Sequence, residues 1–169
     1  MRIIVFSDTH QHTSLLQNAV SQAMEDGPVD ALIHCGDGVR DLECVEGDLL
    51  RFNPHIQIYA VRGNCDLGLA HYPLTETITV KKRKIMITHG HVFHVKHGLG
   101  KLARAAREIG ADIACFGHTH QPVITEKHGV MLVNPGALAS YSFSDTAYLE
   151  LVIDFHNRVC ENIIKRSVK

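Results

Sequence analysis

Residues 2–10 read RIIVFSDTH: an unbroken apolar run from Ile3 to Phe6, then Asp8 and His10 with one residue between them. A strand that faces water on one side alternates apolar and polar residues. A continuous apolar run is written for a strand covered on both faces. The segment that follows, TSLLQNAVSQAMED (13–26), has apolar residues at helical spacing and stops at Gly27-Pro28. DALIHCGD (30–37) is a second buried strand ending in a glycine turn. VRDLECVEGDLLRF (39–52) reads as an irregular helix, and IQIYAVRGNCD (56–66) repeats the plan of strand then glycine. Strand, helix, strand, helix, strand implies right-handed parallel crossovers.

Beyond residue 70 the pattern changes. TETITVKKRKIMITHGH (75–91) predicts an antiparallel hairpin whose turn carries the cationic run KKRK (81–84), charges that deter edge pairing. A helix is expected over 96–109, a strand from Ile113 into FGHTHQP (116–122), and a strand then turn in VMLVNPG (130–136). Two further strands with a turn at His156-Asn157 close the chain. No linker, repeat or low-complexity stretch interrupts it. The expectation is one α/β domain over residues 1–169, with a parallel half, a more antiparallel half, and two packed sheets flanked by helices.

Composition narrows the function. A net charge of −1 and a pI near 6.9 speak against nucleic-acid binding by bulk electrostatics. Five cysteines without a C-x-x-C pair read as thiols of a reducing compartment. The amino terminus enters a strand with no leader pattern, and no run of eighteen apolar residues exists to span a membrane. These features predict a cytoplasmic protein with no membrane partner, and a homo-oligomer is compatible with them. The unusual entry in the composition is histidine, with 13.

Several of those histidines stand at strand ends. Asp8 and His10 follow the first strand, Asp37 the second, and Asn64 and Cys65 the third. His89 and His91 end the hairpin, and His118 and His120 follow the next strand. Ligands in open α/β sheets bind beyond the carboxyl ends of strands. Mixed imidazole and carboxylate donors suit manganese, iron, zinc, nickel or cobalt better than calcium or magnesium. Asp8, His10, Asp37, Asn64, His89, His118 and His120 exceed the needs of one ion. A pair of ions sharing a carboxylate, roughly 3.5–4 Å apart, fits the count.

The ordered motifs SDTH, CGD, GNCD, THGH, FGHTH and NPG resemble those of the calcineurin-like metallophosphoesterases, in their small YfcE-like phosphodiesterase branch. The resemblance covers residue 3 to about residue 155 and implies a four-layer αββα sandwich of two mixed sheets flanked by helices. By motif, Asp8, His10 and His120 would hold one divalent transition-metal ion, manganese foremost. Asn64, His89 and His118 would hold the other, with Asp37 as the bridge. His91 would stand behind the ligands near the substrate. The implied reaction is hydrolysis of a small, accessible phosphodiester by a metal-bridging hydroxide, in an open cleft. Asp37, Asn64, His91 and Cys65 are the residues expected to serve catalysis. The alternatives are a non-catalytic scaffold of the retromer-subunit type, a phosphomonoesterase or a nuclease.

In two respects the chain departs from the wider family: the first motif is often followed by glycine, where Gln11 follows His10 here, and the residue after Asn64 differs. Many members have histidine after the asparagine, positioned to protonate the leaving group, and here Cys65 stands there. Arg62 is the only arginine within the motifs. Other residues have plainer expectations: His34, His55, His71 and His156 as core histidines, and Cys35 and Cys115 as core fillers. His12, His94 and His97 could line the pocket.

Overall fold

The computed structural model describes residues 1–138, 146–154 and 156–166. The first strand, β1 (Arg2–Phe6), is central to a sheet of order β10-β9-β1-β2-β3. It pairs in parallel with β2 (Ala31–His34), which pairs in parallel with β3 (Gln57–Ala60). On its other side it meets β9 (Thr146–Ile153) antiparallel, and β10 (Val159–Arg166) forms the edge. Helix α1 (Thr13–Glu25) links β1 to β2, and α2 (Val39–Phe52) links β2 to β3.

The second sheet runs β4-β5-β6-β8-β7. The hairpin β4 (Thr75–Val80) and β5 (Arg83–Thr88) is antiparallel, β5 and β6 (Ile113–Cys115) are parallel, and β6 pairs in parallel with β8 (Val130–Asn134). Strand β7 (Val123–Lys127) is antiparallel to β8 at the edge. Helix α3 (Gly100–Glu108) precedes β6.

The alternation along β1 shows why its sequence is apolar throughout. Ile4 and Phe6 pack with Leu32, Leu16, Val20, Leu42, Val45 and Leu49 under α1 and α2. Ile3 and Val5 point the other way, into a core shared with Ile33, Ile85, Ile87, Ile113, Leu149 and Leu151 between the sheets. A third core joins Met86, Ala114, Phe116 and Leu132 to Leu102, Ala103 and Ala106 of α3. Three apolar interfaces separate four layers: helices, sheet, sheet, helix. This is the αββα sandwich of two mixed sheets that the motifs implied.

Four local expectations need correction. The segment 39–52 is one continuous helix; Gly47 lies on its exposed side, where it leaves the stripe Val39, Leu42, Val45, Leu49 intact. The expected helix over 96–109 begins at Gly100 instead. Two 3-10 turns, His91–Phe93 and Val95–His97, precede it, separated by His94 at φ 54°. The sequence reading passed over β7, an edge strand with outward Glu126 and Lys127, closed onto β8 by the positive-φ pair His128-Gly129. The residues of KKRK are not simply solvated. Lys81 Nζ donates to Ile153 O at 3.0 Å, Lys84 Nζ to Ile109 O at 2.5 Å, and Arg83 pairs with Asp112 at 3.0 Å.

Of the histidines expected in the core, only His34 is there. His55, His71 and His156 lie on loops and are exposed. Cys35 and Cys115 are fully buried in the core between the sheets, as expected. No helix among the described residues is long and apolar enough to cross a membrane.

Candidate metal centre

The carboxyl ends of β1, β2 and β3 lie beside those of β5 and β6, and backbone hydrogen bonds stitch the loops together. Asp8 N donates to Gly36 O (2.9 Å), His10 N to Asp37 O (3.0 Å) and Gly117 N to His89 O (3.2 Å). Leu138 N, beyond β8, donates to Ser7 O (3.1 Å) and ties the exit of the second sheet to the first. The candidate ligands therefore converge although they come from five loops.

Two groups form. Donor atoms of Asp8, His10 and His120 lie within 4.8 Å of one another, and so do those of Asp37, His89 and His118. A third group, His10, Asp37 and Cys65, meets the same limit and joins the two. Asp8 Oδ1 is 3.1 Å from His120 Nε2 and 3.7 Å from His10 Nε2, and the two Nε2 atoms are 3.1 Å apart. His89 Nε2 is 3.3 Å from Asp37 Oδ2. Asn64 is exposed at the rim, its amide nitrogen 3.2 Å from Cys65 Sγ. The His91 ring lies behind, 5.3 Å from that of His89 and 6.1 Å from that of His118. Of the histidines thought to line the pocket, His12 turns its Nδ1 to the backbone carbonyls of Thr9 and His10, while His94 and His97 border a separate cleft beside α3.

The fit to metal rests on atoms left without partners. Asp8 Oδ2 accepts from Ser7 Oγ (2.6 Å) and His118 N (3.0 Å), while the buried Oδ1 makes no hydrogen bond. His89 Nδ1 donates to Cys35 O (2.8 Å), which fixes the tautomer with a lone pair on Nε2. That buried Nε2 is also without a hydrogen bond. Buried polar atoms are ordinarily satisfied. An orienting hydrogen bond on one atom and a vacant lone pair on the other is how metal ligands are held.

The backbone is shaped for the same end. Asp8, His10, Asp37, His118 and His120 all adopt the left-handed region, with φ between 45° and 70°. Each such residue costs about 1–2 kcal/mol, and strain of this kind clusters at functional sites. Glycines admit the close approach. A Cβ on Gly117 would stand 1.9 Å from Ser7 Oγ and 2.7 Å from Asp8 Oδ2, and one on Gly63 would stand 2.1 Å from Asp37 Oδ1.

Electrostatics hold the two carboxylates charged and act on the imidazoles in both directions. Burial would raise the Asp8 carboxyl, but the His120 and His89 rings and the Ser7 hydroxyl outweigh it and hold it lower. Burial likewise opposes the His89 ring and the Cys65 N–H at Asp37, which nonetheless lies well below the usual carboxylate range. His118 is pushed down to about 4 by burial and by the charges of His89 and Lys96, and His91 is lowered by burial and His89. His89 goes up: burial disfavours its charged form, and the Asp37 contact and the Asp8 charge prevail. The Cys65 thiol is raised to about 11, by burial first and then by Asp37.

Three supporting residues were missed by sequence reasoning. Asp66 accepts from Asp37 N (2.8 Å), Gly63 N (2.7 Å), Gly38 N (2.8 Å) and Val39 N (3.0 Å), so one carboxylate organises two loops and the start of α2. Asp41 accepts from Thr9 Oγ1, Thr13 Oγ1 and Gln11 N. Asn134 bridges Gly117 O and Thr119 Oγ1 and shapes the GHTH loop, so NPG is more than a turn. An acid three residues beyond the glycine of the third loop, Gly63-Asn64-Cys65-Asp66, is the signal that could have found Asp66. A cleft of about 330 Å³ opens beside His10, Asp37 and Cys65, lined also by Gln11, Arg40 and Leu67.

Fold and site define a class, hydrolases that work on phosphate esters with divalent metal. The chain belongs to the calcineurin-like phosphoesterase superfamily, whose domain matches residues 1–157. It is 33% identical to the probable metallophosphoesterase YsnB of Bacillus subtilis, over 82% of this chain and 75% of that protein. It is 30% identical to a phosphodiesterase of Methanocaldococcus jannaschii, over 83% of this chain and 86% of that one. Its fold also matches zinc-bound Vps29 of Entamoeba histolytica, with a TM-score of 0.71 at 22% identity, covering 98% of this chain and 99% of that one.

Proposed function

We propose that the protein is a dinuclear-metal phosphodiesterase acting on small, accessible phosphodiesters. The observation that carries this reading is the pair of three-residue donor groups linked by a third, His10, Asp37 and Cys65, with no hydrogen bond to the buried Oδ1 of Asp8 or Nε2 of His89. Asp8, His10 and His120 would hold one ion, Asn64, His89 and His118 the other, and Asp37 would serve both. Manganese, iron, zinc, nickel and cobalt suit these donors. When bound, two divalent ions supply a Lewis-acidic centre and lower the pKa of a coordinated water to about 7.

The chain's own residues do the rest. Asp8 and Asp37 together offset only part of the charge of two ions, so the centre stays positive toward an anionic phosphoryl group. His91, kept neutral, stands behind the ligands where it can hydrogen-bond a phosphoryl oxygen. Cys65, on the cleft wall, stands where other members have a histidine. With no imidazole there to protonate a poor leaving group, diesters with acidic aryl leaving groups should react faster than alkyl diesters. Diesters should also exceed monoesters; Arg62, whose charge reaches His91, is the one motif arginine that could meet a monoester's extra charge.

The test is to strip the protein with chelator, reload it with single ions, count bound metal by elemental analysis, and assay graded diesters and monoesters. About two equivalents bound and diester hydrolysis restored by metal are expected. Saturation at one equivalent, or no hydrolysis with any ion, sinks the reading. The second outcome would favour a scaffold, the role left open by a fold that Vps29 shares.

A further inference from the structure

The cleft beside His10, Asp37 and Cys65 continues to a wall made by Gln11, Arg40 and Leu67. Arg40 is exposed in the first turn of α2 and reaches over the loop after β3; its Nη2 lies 3.8 Å from the place a Cβ on Gly68 would occupy. Among the described residues no carboxylate stands within ion-pair distance of it. The neighbouring acids are engaged elsewhere. Glu43, one helical turn on, takes the Tyr72 hydroxyl at 3.2 Å and faces His71 at 3.7 Å. Asp41 is buried under two hydroxyls and the Gln11 N–H, and the Asp66 carboxylate is spread over four backbone N–H groups.

A free guanidinium on the wall of a substrate cleft is a fork for a planar or tetrahedral anion. The helix end offers no substitute, because the N–H groups of Gly38 and Val39 already donate to Asp66. Leu67, 80% exposed on the same wall, gives an apolar surface beside the cation. We propose that Arg40 binds a second, non-reacting anionic group of the substrate, a phosphate or carboxylate carried on the ester arm that is not expelled. The preferred substrates are then phosphodiesters with an additional charge at a distance from the scissile bond, their linking arm lying along Leu67. The proposal rests on the phosphodiesterase reading and sharpens its substrate class.

Three 4-nitrophenyl phosphodiesters share one leaving group and differ in the other arm: methyl, an alkyl chain ending in carboxylate, and an alkyl chain ending in phosphate. They are assayed with metal-loaded wild type, Arg40→Ala and Arg40→Lys. Wild type should favour at least one anionic arm over methyl by about tenfold in kcat/KM, chiefly through KM, as one charge-assisted contact allows. Which anionic arm gains more identifies the group. That ratio should collapse toward one in Arg40→Ala, be partly kept in Arg40→Lys, and shrink with added salt. A wild-type ratio near one for both anionic arms, or a ratio unchanged by Arg40→Ala, overturns the subsite while leaving phosphodiesterase activity standing. Failure of the underlying reading looks different: none of the three esters is turned over, and the subsite falls with it.

Discussion

The loops after β1, β2 and β3 bring three buried carboxylates, Asp8, Asp37 and Asp66, whereas the loops after β5 and β6 bring His89, His91, His118 and His120 and no acid. Each carboxylate is sunk beneath hydrogen-bond donors. Of the imidazoles, His89 has its proton placed by a carbonyl, and burial helps keep His91 and His118 neutral. The first sheet's loops carry the buried carboxylates together with His10 and Asn64, and the second sheet's loops carry imidazoles alone. Substituting one of those carboxylates would remove charge that balances metal, whereas substituting an imidazole would remove one donor.

The strongest way to break this division is to neutralise Asp37, the carboxylate proposed to serve both ions. Asp37→Asn should lower kcat/KM by about 10³-fold or more at limiting metal, against about 10–100-fold for Asn64→Ala, at a residue proposed to serve one ion. Titration of activity against metal for both variants checks this, and near-native turnover by Asp37→Asn would remove Asp37 from its place. Next in size is Asp66→Asn. Turning an acceptor of four N–H groups into an amide should cost the metal-free protein about 2–4 kcal/mol, read from denaturant midpoints. A loss of activity without that loss of stability would make Asp66 a participant rather than a support.

Acidity separates imidazoles from carboxylates. His34, fully buried between Thr9 and the Gly36 N–H, is pushed down to about 4 by burial from an ordinary 6.5. Its unfolded form takes up a proton first as pH falls, so stability is full above 6.5 and declines between 6.5 and 4. The sum is on the order of a few kcal/mol. His118 shares this sign, and His89 opposes it. Asp8 and Asp37, held low, keep their contributions until pH falls below the carboxylate range. Denaturant midpoints in chelator at pH 7.5 and 5.0 should show the decline, and His34→Gln should flatten it. An unaltered slope would show that His34 does not carry it. The smallest effect belongs to Cys65→His, expected to narrow the aryl-to-alkyl rate gap by about tenfold. If wild type shows no dependence on leaving-group pKa, with chemistry rate-limiting, another acid is at work.

Much of this division was legible before any coordinates. The buried strands β1, β2, β5 and β6 announced themselves as apolar runs; β2, β5 and β6 ended beside a glycine and a ligand type, and β1 ran straight into Asp8 and His10. The ligand loops were readable because Asp, Asn or His recurs at one strand end after another. What sequence did not disclose was support acting through hydrogen bonds: Asp66 in GNCD and Asn134 in NPG look like turn residues until their acceptors are seen. Strand β7 was hidden because an exposed edge strand with charged residues lacks the apolar signal. His55, His71 and His156 were misplaced because histidine follows no burial pattern of its own.

The left-handed backbone at Asp8, His10, Asp37, His118 and His120 limits which variants can arise by drift. Asp, Asn and His are the side chains enriched in that region, and β-branched ones are outliers there. The same three types are metal donors, so backbone shape and coordination select one short alphabet. Descendants of this chain that abandon catalysis would tend to carry Asn, Asp, His or Gly at these positions and not Val, Ile or Thr. A family member can therefore look like a metal protein in outline long after one ligand has been exchanged. Activity in such relatives has to be judged from the donor atoms, not from the retained loop shape.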